Sequence, residues 1–166
     1  SRTALLLFCA GVAACGFQPL YGVGQNNRGI VHEMSQVEVA PIKDRIGQLV
    51  RSQLVASLGQ GEPASGRRYR LIVELKPSQE GVALARDEAT TRFNYKLYGK
   101  FHLIDIPKGD EIFHGNTQTI AVYNVVAADY STLTAENDAK RRAAKGISEE
   151  IRTRLAVFFF RQTAGN

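Results

Sequence analysis

Beyond position 15 the 166-residue chain has no cysteine, since Cys9 and Cys15 are its only two. That excludes a disulfide framework or a cysteine-based metal site in the body of the protein. Long hydrophobic runs are missing too. The apolar and small-residue stretch Ala4–Ala14 would reach roughly 16 Å as a helix, about half the hydrocarbon core of a bilayer, and is too short to span it. Histidine is sparse: His32, His102 and His114 are scattered, with neither the i, i+4 spacing of a helical metal pair nor an HExxH setting. There is no G-x-S-x-G elbow and no Walker loop. Asp87-Glu88 and Glu149-Glu150 are sequence neighbours whose side chains diverge on strands and helices, so neither makes an acid/base pair. Nothing points to an enzyme, a metal or a cofactor.

What is present is ordinary globular material. A 44% apolar and 22% charged composition excludes a disordered chain or a polytopic membrane protein, and the length suits one domain. The formal charge of +5 favours anionic partners such as phosphates or lipid head groups. The plain alternative is a basic domain that binds nothing in particular.

The N-terminus is more specific. Arg2 precedes the short apolar run, and Ala13 and Ala14 stand directly before Cys15. A positive start, an apolar stretch and small residues at a cleavage point describe a secretory signal. Val12-Ala13-Ala14-Cys15 resembles the bacterial lipobox. That resemblance implies cleavage before Cys15, with a diacylglycerol on its sulfur and an acyl chain on its amine. Three chains exceed what stable anchoring needs. Residues 1–14 are then a lipoprotein signal peptide, 15–29 a lipidated tether rich in Gly and Asn, and 30–166 a single domain. The chain begins at Ser1 rather than Met, so the signal is expected to start further upstream.

Within the domain, Val37, Val39 and Ile42 mark a short strand ended by Pro41. Asp44 is expected to cap a helix over 45–58, with Ile46, Leu49, Val50, Leu54 and Leu58 on one stripe. Residues 68–77 alternate as a strand, and 79–88 read as a charged turn region. Residues 90–106 alternate again. Pro107-Lys108-Gly109-Asp110 makes a hairpin turn into a strand over 111–126. From 132 to 160, Ala139, Ala143, Ile147, Ile151, Leu155 and Phe158 recur at near four-residue spacing, which predicts a long amphipathic helix. The order β-α-β-β-β-α predicts an α+β fold, with a small four-stranded sheet, mostly antiparallel or mixed, and two helices on one face.

The polar side of the long strands carries Arg68, Arg70, Lys76, Arg92, Lys96 and Lys100 against one acid, Glu74, with Tyr98 among them. Such a surface suits phosphate groups. It also suits a solvated outer face guarded against edge pairing. Nucleic acid is not an expected partner for a secreted, lipidated domain.

Cys15-Gly16-Phe17-Gln18-Pro19-Leu20-Tyr21-Gly22 resembles the mature start of LptE, the lipopolysaccharide-assembly lipoprotein family. The likeness continues in Asp44-Arg45-x-Gly47-Gln48, Tyr69-Arg70-Leu71-x-Val73, Arg86-Asp87 with Thr91-Arg92, Tyr123-Asn124 and the Ala-rich terminal helix. It implies a small sheet with two helices on one side and no catalysed reaction. It also implies an outer-membrane location, the β-barrel LptD as partner, and lipopolysaccharide as ligand. Arg92 and Lys96 become the leading lipopolysaccharide contacts, with Arg68, Arg70 and Lys100 beside them. A structural plug or assembly chaperone of the barrel, without direct lipopolysaccharide binding, is the other function the resemblance allows.

Overall fold

The computed structural model describes residues 25–59, 66–82, 91–125 and 129–164. Its elements are α1 (Gln25–Ser35), β1 (Val37–Val39), α2 (Asp44–Ser57), β2 (Tyr69–Val82), β3 (Thr91–Asp105), β4 (Glu111–Val125) and α3 (Asp129–Ala164). The sheet order is β1-β2-β3-β4, with β1 parallel to β2 and the other pairs antiparallel. The expected α+β sheet is therefore present in its mixed form, with one helix more than the periodicity indicates.

Alternation sets which face is covered. Leu71, Val73, Leu97, Phe101 and Leu103 point to one side and are buried. Val50 and Leu54 of α2 meet them there, with Ala139, Ala143, Ile147, Ile151 and Leu155 of α3. Each large side chain so buried stabilises the fold by about 1.5–3 kcal/mol before ordering costs. The alanines of α3 let the helix approach β3 and β4 closely. Ser148, also buried, ties the two helices together: its Oγ lies 2.7 Å from the Ala144 carbonyl and 3.3 Å from that of Val50. At the end of α3 the stripe shifts by one residue from expectation. Phe159 is the buried ring, tilted against Tyr69, while Phe158 is half-buried and stacks on Phe113 with centroids 4.6 Å apart.

Three further local expectations are corrected. Residues 25–35 form α1, where the sequence pattern assigns 15–29 to a tether and marks no helix before the first strand. The helix is held from outside: Met34 joins the core, and Tyr69 donates to the Glu33 carboxylate at 2.8 Å. Asp44 is the first residue of α2 rather than its cap. Lys43 occupies the cap position with no side-chain bond to the helix, and Asp44 itself has φ +66°, a conformation aspartate tolerates better than most residues. The expected turn at 79–88 is strand as far as Val82, which pairs with Arg92. Residues 83–90 lie outside the described part. Pro77 is accommodated because β1 pairs only with Tyr69–Leu71, which leaves β2 without a partner on that side at the proline among the described residues. The hairpin turn before β4 is as expected, with Gly109 at φ +74° and its amide donating to the Asp105 carbonyl.

Candidate functional site

The described helices all lie on one side, and no described element covers the other face of β2, β3 and β4. Register decides which of its residues are neighbours. Arg92 lies between Val82 and Asn124, Lys96 between Ser78 and Ile120, Tyr98 between Lys76 and Gln118, and Lys100 between Glu74 and Asn116. Arg70 stands beside Glu38 of β1. The strands thus bring Arg70, Lys76, Arg92, Lys96 and Lys100 onto one surface, as the sequence predicts. Arg68 is not among them. Its guanidinium turns to the buried Asp105 at 3.7 Å and sits over the Tyr69 ring. Cys15 lies outside the described residues.

The expectation of a single opposing acid is wrong. Besides Glu74, this face carries Glu38, Glu80 and Glu111. Lys96 Nζ meets Glu80 at 2.6 Å, and Arg70 Nη2 meets Glu38 at 3.4 Å. The hydrogen bond to Glu80 raises the Lys96 pKa above the ordinary lysine value, and the carboxylate's charge adds to it. Five cations therefore face four carboxylates, and the surface is close to neutral rather than strongly basic. Lys76, Arg92 and Lys100 have no ion pair among the described residues. Sequence alternation alone misses Glu80, because it breaks at Pro77; strand parity carried past the proline would place it on this face.

Two of the three histidines, scattered in sequence, become cross-strand neighbours: His102 opposes His114. Both Nδ1 atoms reach Glu111, at 2.6 and 2.7 Å. The hydrogen bond from His102 holds Glu111 below the usual glutamate range. Among the described residues no group of His, Cys, Asp and Glu has the arrangement to hold a metal ion.

Apolar side chains are interleaved with the charges. Ile72, Val82, Tyr98, Ile120 and Val122 are all exposed, Ile120 by 50%. A shallow depression of about 320 Å³ lies where Glu74, Lys76, Tyr98, Lys100 and Asn116 meet. The arrangement can take up an amphiphile, with anionic groups at Lys76, Lys100 and Arg92 and hydrocarbon against Ile120 and Val122. No described helix is long and apolar enough to cross a membrane.

No family model matches the chain. An uncharacterised protein of Rickettsia prowazekii (strain Madrid E) is 24% identical over 162 residues, which cover 95% of this chain and 97% of that one. A crystal structure of a proposed lipoprotein from Caulobacter crescentus CB15 superposes with a TM-score of 0.66 at 25% identity, covering 80% of this chain and 96% of that one. A minor lipoprotein from Acinetobacter baumannii shares the fold with a TM-score of 0.54 at 12% identity, covering 74% and 92%. The α+β architecture is thus one found among bacterial lipoproteins.

Proposed function

We propose that this protein is an outer-membrane lipoprotein, anchored through Cys15, that joins an LptD-type barrel and assists lipopolysaccharide transport and assembly. The observation that carries the lipid-handling part is the uncovered sheet face, where unpaired cations alternate with exposed apolar side chains. The lipobox and the LptE-like segment Cys15–Gly22 support the anchor and the pathway, and the fold is compatible with both. Physically, Lys76, Arg92 and Lys100 would compete with divalent cations for lipid A phosphates, while Ile120 and Val122 shelter acyl carbons.

The first test is to isolate the tagged full-length protein from detergent-solubilised envelopes and identify its companions by mass spectrometry. A stoichiometric large barrel protein is the expected result. A triacylated Cys15 with no barrel would keep the anchor and remove the transport assignment. For the face itself, the double variant Arg92→Glu/Lys96→Glu should lose lipopolysaccharide binding with folding unchanged. Unaltered affinity would leave the second reading, a plug or assembly chaperone that does not touch lipopolysaccharide. The ion pairs Lys96–Glu80 and Arg70–Glu38 favour that second reading, because they neutralise part of the face internally.

A further inference from the structure

The helical side of the molecule carries a second exposed apolar patch, at the end where α1 meets the close of α3. Phe158 and Phe159 pack into the structure there, but Phe160 is 45% exposed, and Val157, one turn before it, is exposed with it. Spacings of three and four residues put Arg154 and Arg161 beside Val157 on the same side of the helix. Arg154 is held by Glu150 at 2.8 Å, while Arg161 has no ion pair among the described residues. From Ile151 to Ala164, α3 carries Arg152, Arg154 and Arg161 and no acid; its acids all fall between Asp129 and Glu150.

Chain geometry and charge together indicate what covers this patch. α1 runs antiparallel to the end of α3: a Cβ on Gly29 would stand 3.9 Å from Thr163, and Glu33 bonds to Tyr69, whose ring tilts against Phe159. Val31, between those two contacts on α1, is exposed at the same level. Ten positions separate Cys15 from Gln25, the first residue of α1, a reach of at most about 36 Å. An anchor at Cys15 therefore keeps the Phe160 end of α3 within reach of the bilayer, whereas Tyr130, about 45 Å away along the helix, is not drawn to it. Charge agrees with this placement. Arginine without acid suits anionic head groups, and Phe160, Val157 and Val31 offer apolar contact at the head-group boundary.

We propose that the Val157–Phe160 turn of α3, flanked by Arg154 and Arg161, docks on an anionic phospholipid surface beside the anchor. Phe160 and Val157 enter the boundary between head groups and acyl chains, and the arginines bind lipid phosphates. Contact at this second point fixes which end of the domain faces the bilayer. The inference rests on the Cys15 anchor of the proposed function, and on neither the barrel nor lipopolysaccharide.

The chain has no tryptophan, so a single introduced one reports alone. Phe160→Trp and, as a second reporter, Val157→Trp are compared with Tyr130→Trp at the far end of α3. Each acylated full-length protein is reconstituted into vesicles of phosphatidylcholine, with or without phosphatidylglycerol, that carry brominated acyl chains. With phosphatidylglycerol present, emission from Phe160→Trp and Val157→Trp should be quenched about threefold more than emission from Tyr130→Trp. Adding Arg154→Gln/Arg161→Gln to Phe160→Trp should bring its quenching down to the level found on phosphatidylcholine alone. Equal quenching at both ends of α3 overturns the proposal. So does a Phe160→Trp signal shielded from aqueous iodide yet untouched by brominated lipid, which would mean that a protein covers the patch. Acyl chains on Cys15 are read by mass on the same samples. Their absence removes the anchor alone, because anionic vesicles added from outside should still quench Phe160→Trp if the patch binds them.

Discussion

Gly47 lies directly against the backbone of Ile42. A methyl group on Gly47 would stand 2.7 Å from Ile42 Cγ2 and 3.0 Å from both its carbonyl carbon and its carbonyl oxygen. The turn leaving β1 and the first turn of α2 are therefore in backbone contact. Alanine at position 47 would gain about 1 kcal/mol of helix propensity. It would also wedge these two segments apart, which costs about 1–3 kcal/mol. Because the obstacles are the Ile42 backbone and the Cγ2 methyl fixed on its Cβ rather than a flexible side-chain tip, the second effect should win. Gly47→Ala is expected to lower the urea midpoint, with net destabilisation of up to about 2 kcal/mol.

Tyr69 joins β2 to α1 through Glu33. Burial first, and then the hydrogen bond to Glu33, push its pKa well above the ordinary tyrosine value of 10.0. The folded state thus favours the neutral phenol. Its contribution is fully present below pH 10 and is lost as pH rises from there toward the folded value. Stability followed by circular dichroism should fall on that alkaline limb. Tyr69→Phe should be less stable by about 1 kcal/mol at neutral pH and should show a shallower alkaline fall.

Glu111 behaves in the opposite sense. Its folded pKa is depressed below 4.5, chiefly by the His102 hydrogen bond. The associated stability is present above the unfolded value and is lost as pH falls through the folded one. The effect should be small, since the group is exposed. A carbon-13 titration should find Glu111 low in the wild type and nearer the ordinary value in His102→Ala. No change on removing His102 would sink this assignment.

Much of the sheet is legible from sequence because its strands alternate strictly where one face is buried. Leu97 to Leu103 and Ala139 to Leu155 each follow one period without interruption. The α1 helix is not legible, since Gln25, Asn26, Asn27 and Gly29 include poor helix formers and its hold comes from Met34 and Glu33 meeting distant partners. The far end of β2 is hidden for a similar reason. Gln79, Glu80 and Gly81 show no apolar alternation, and pairing with β3 keeps them extended. For the candidate site, parity places the cations but says nothing of their neutralisation. Lys96 and Glu80 meet only through register across sixteen positions of sequence.

That pair supplies another prediction. Glu80→Gln frees Lys96 without removing a cation, so affinity for lipopolysaccharide should rise, measurably at low salt, while stability changes by less than about 0.5 kcal/mol. A variant that binds no better in a titration of labelled lipopolysaccharide would indicate that Lys96 does not meet the lipid.

Helix α1 and strand β1 also differ from the rest of the molecule in how far they must reach. The meander β2–β3–β4 can zip outward from pairs close in sequence, Val82 with Arg92 and Ile104 with Glu111, but Glu38 meets Arg70 across thirty-two positions and Tyr69 meets Glu33 across thirty-six. Closing those loops costs entropy before any contact is gained. The meander with α3 should therefore assemble first, and the N-terminal segment should dock onto it late in the folding reaction. Val39→Ala is then expected to speed unfolding while leaving the refolding rate nearly unchanged, a distinction that stopped-flow kinetics can resolve. The part of the domain nearest the proposed membrane anchor would be the last to form and the first to let go.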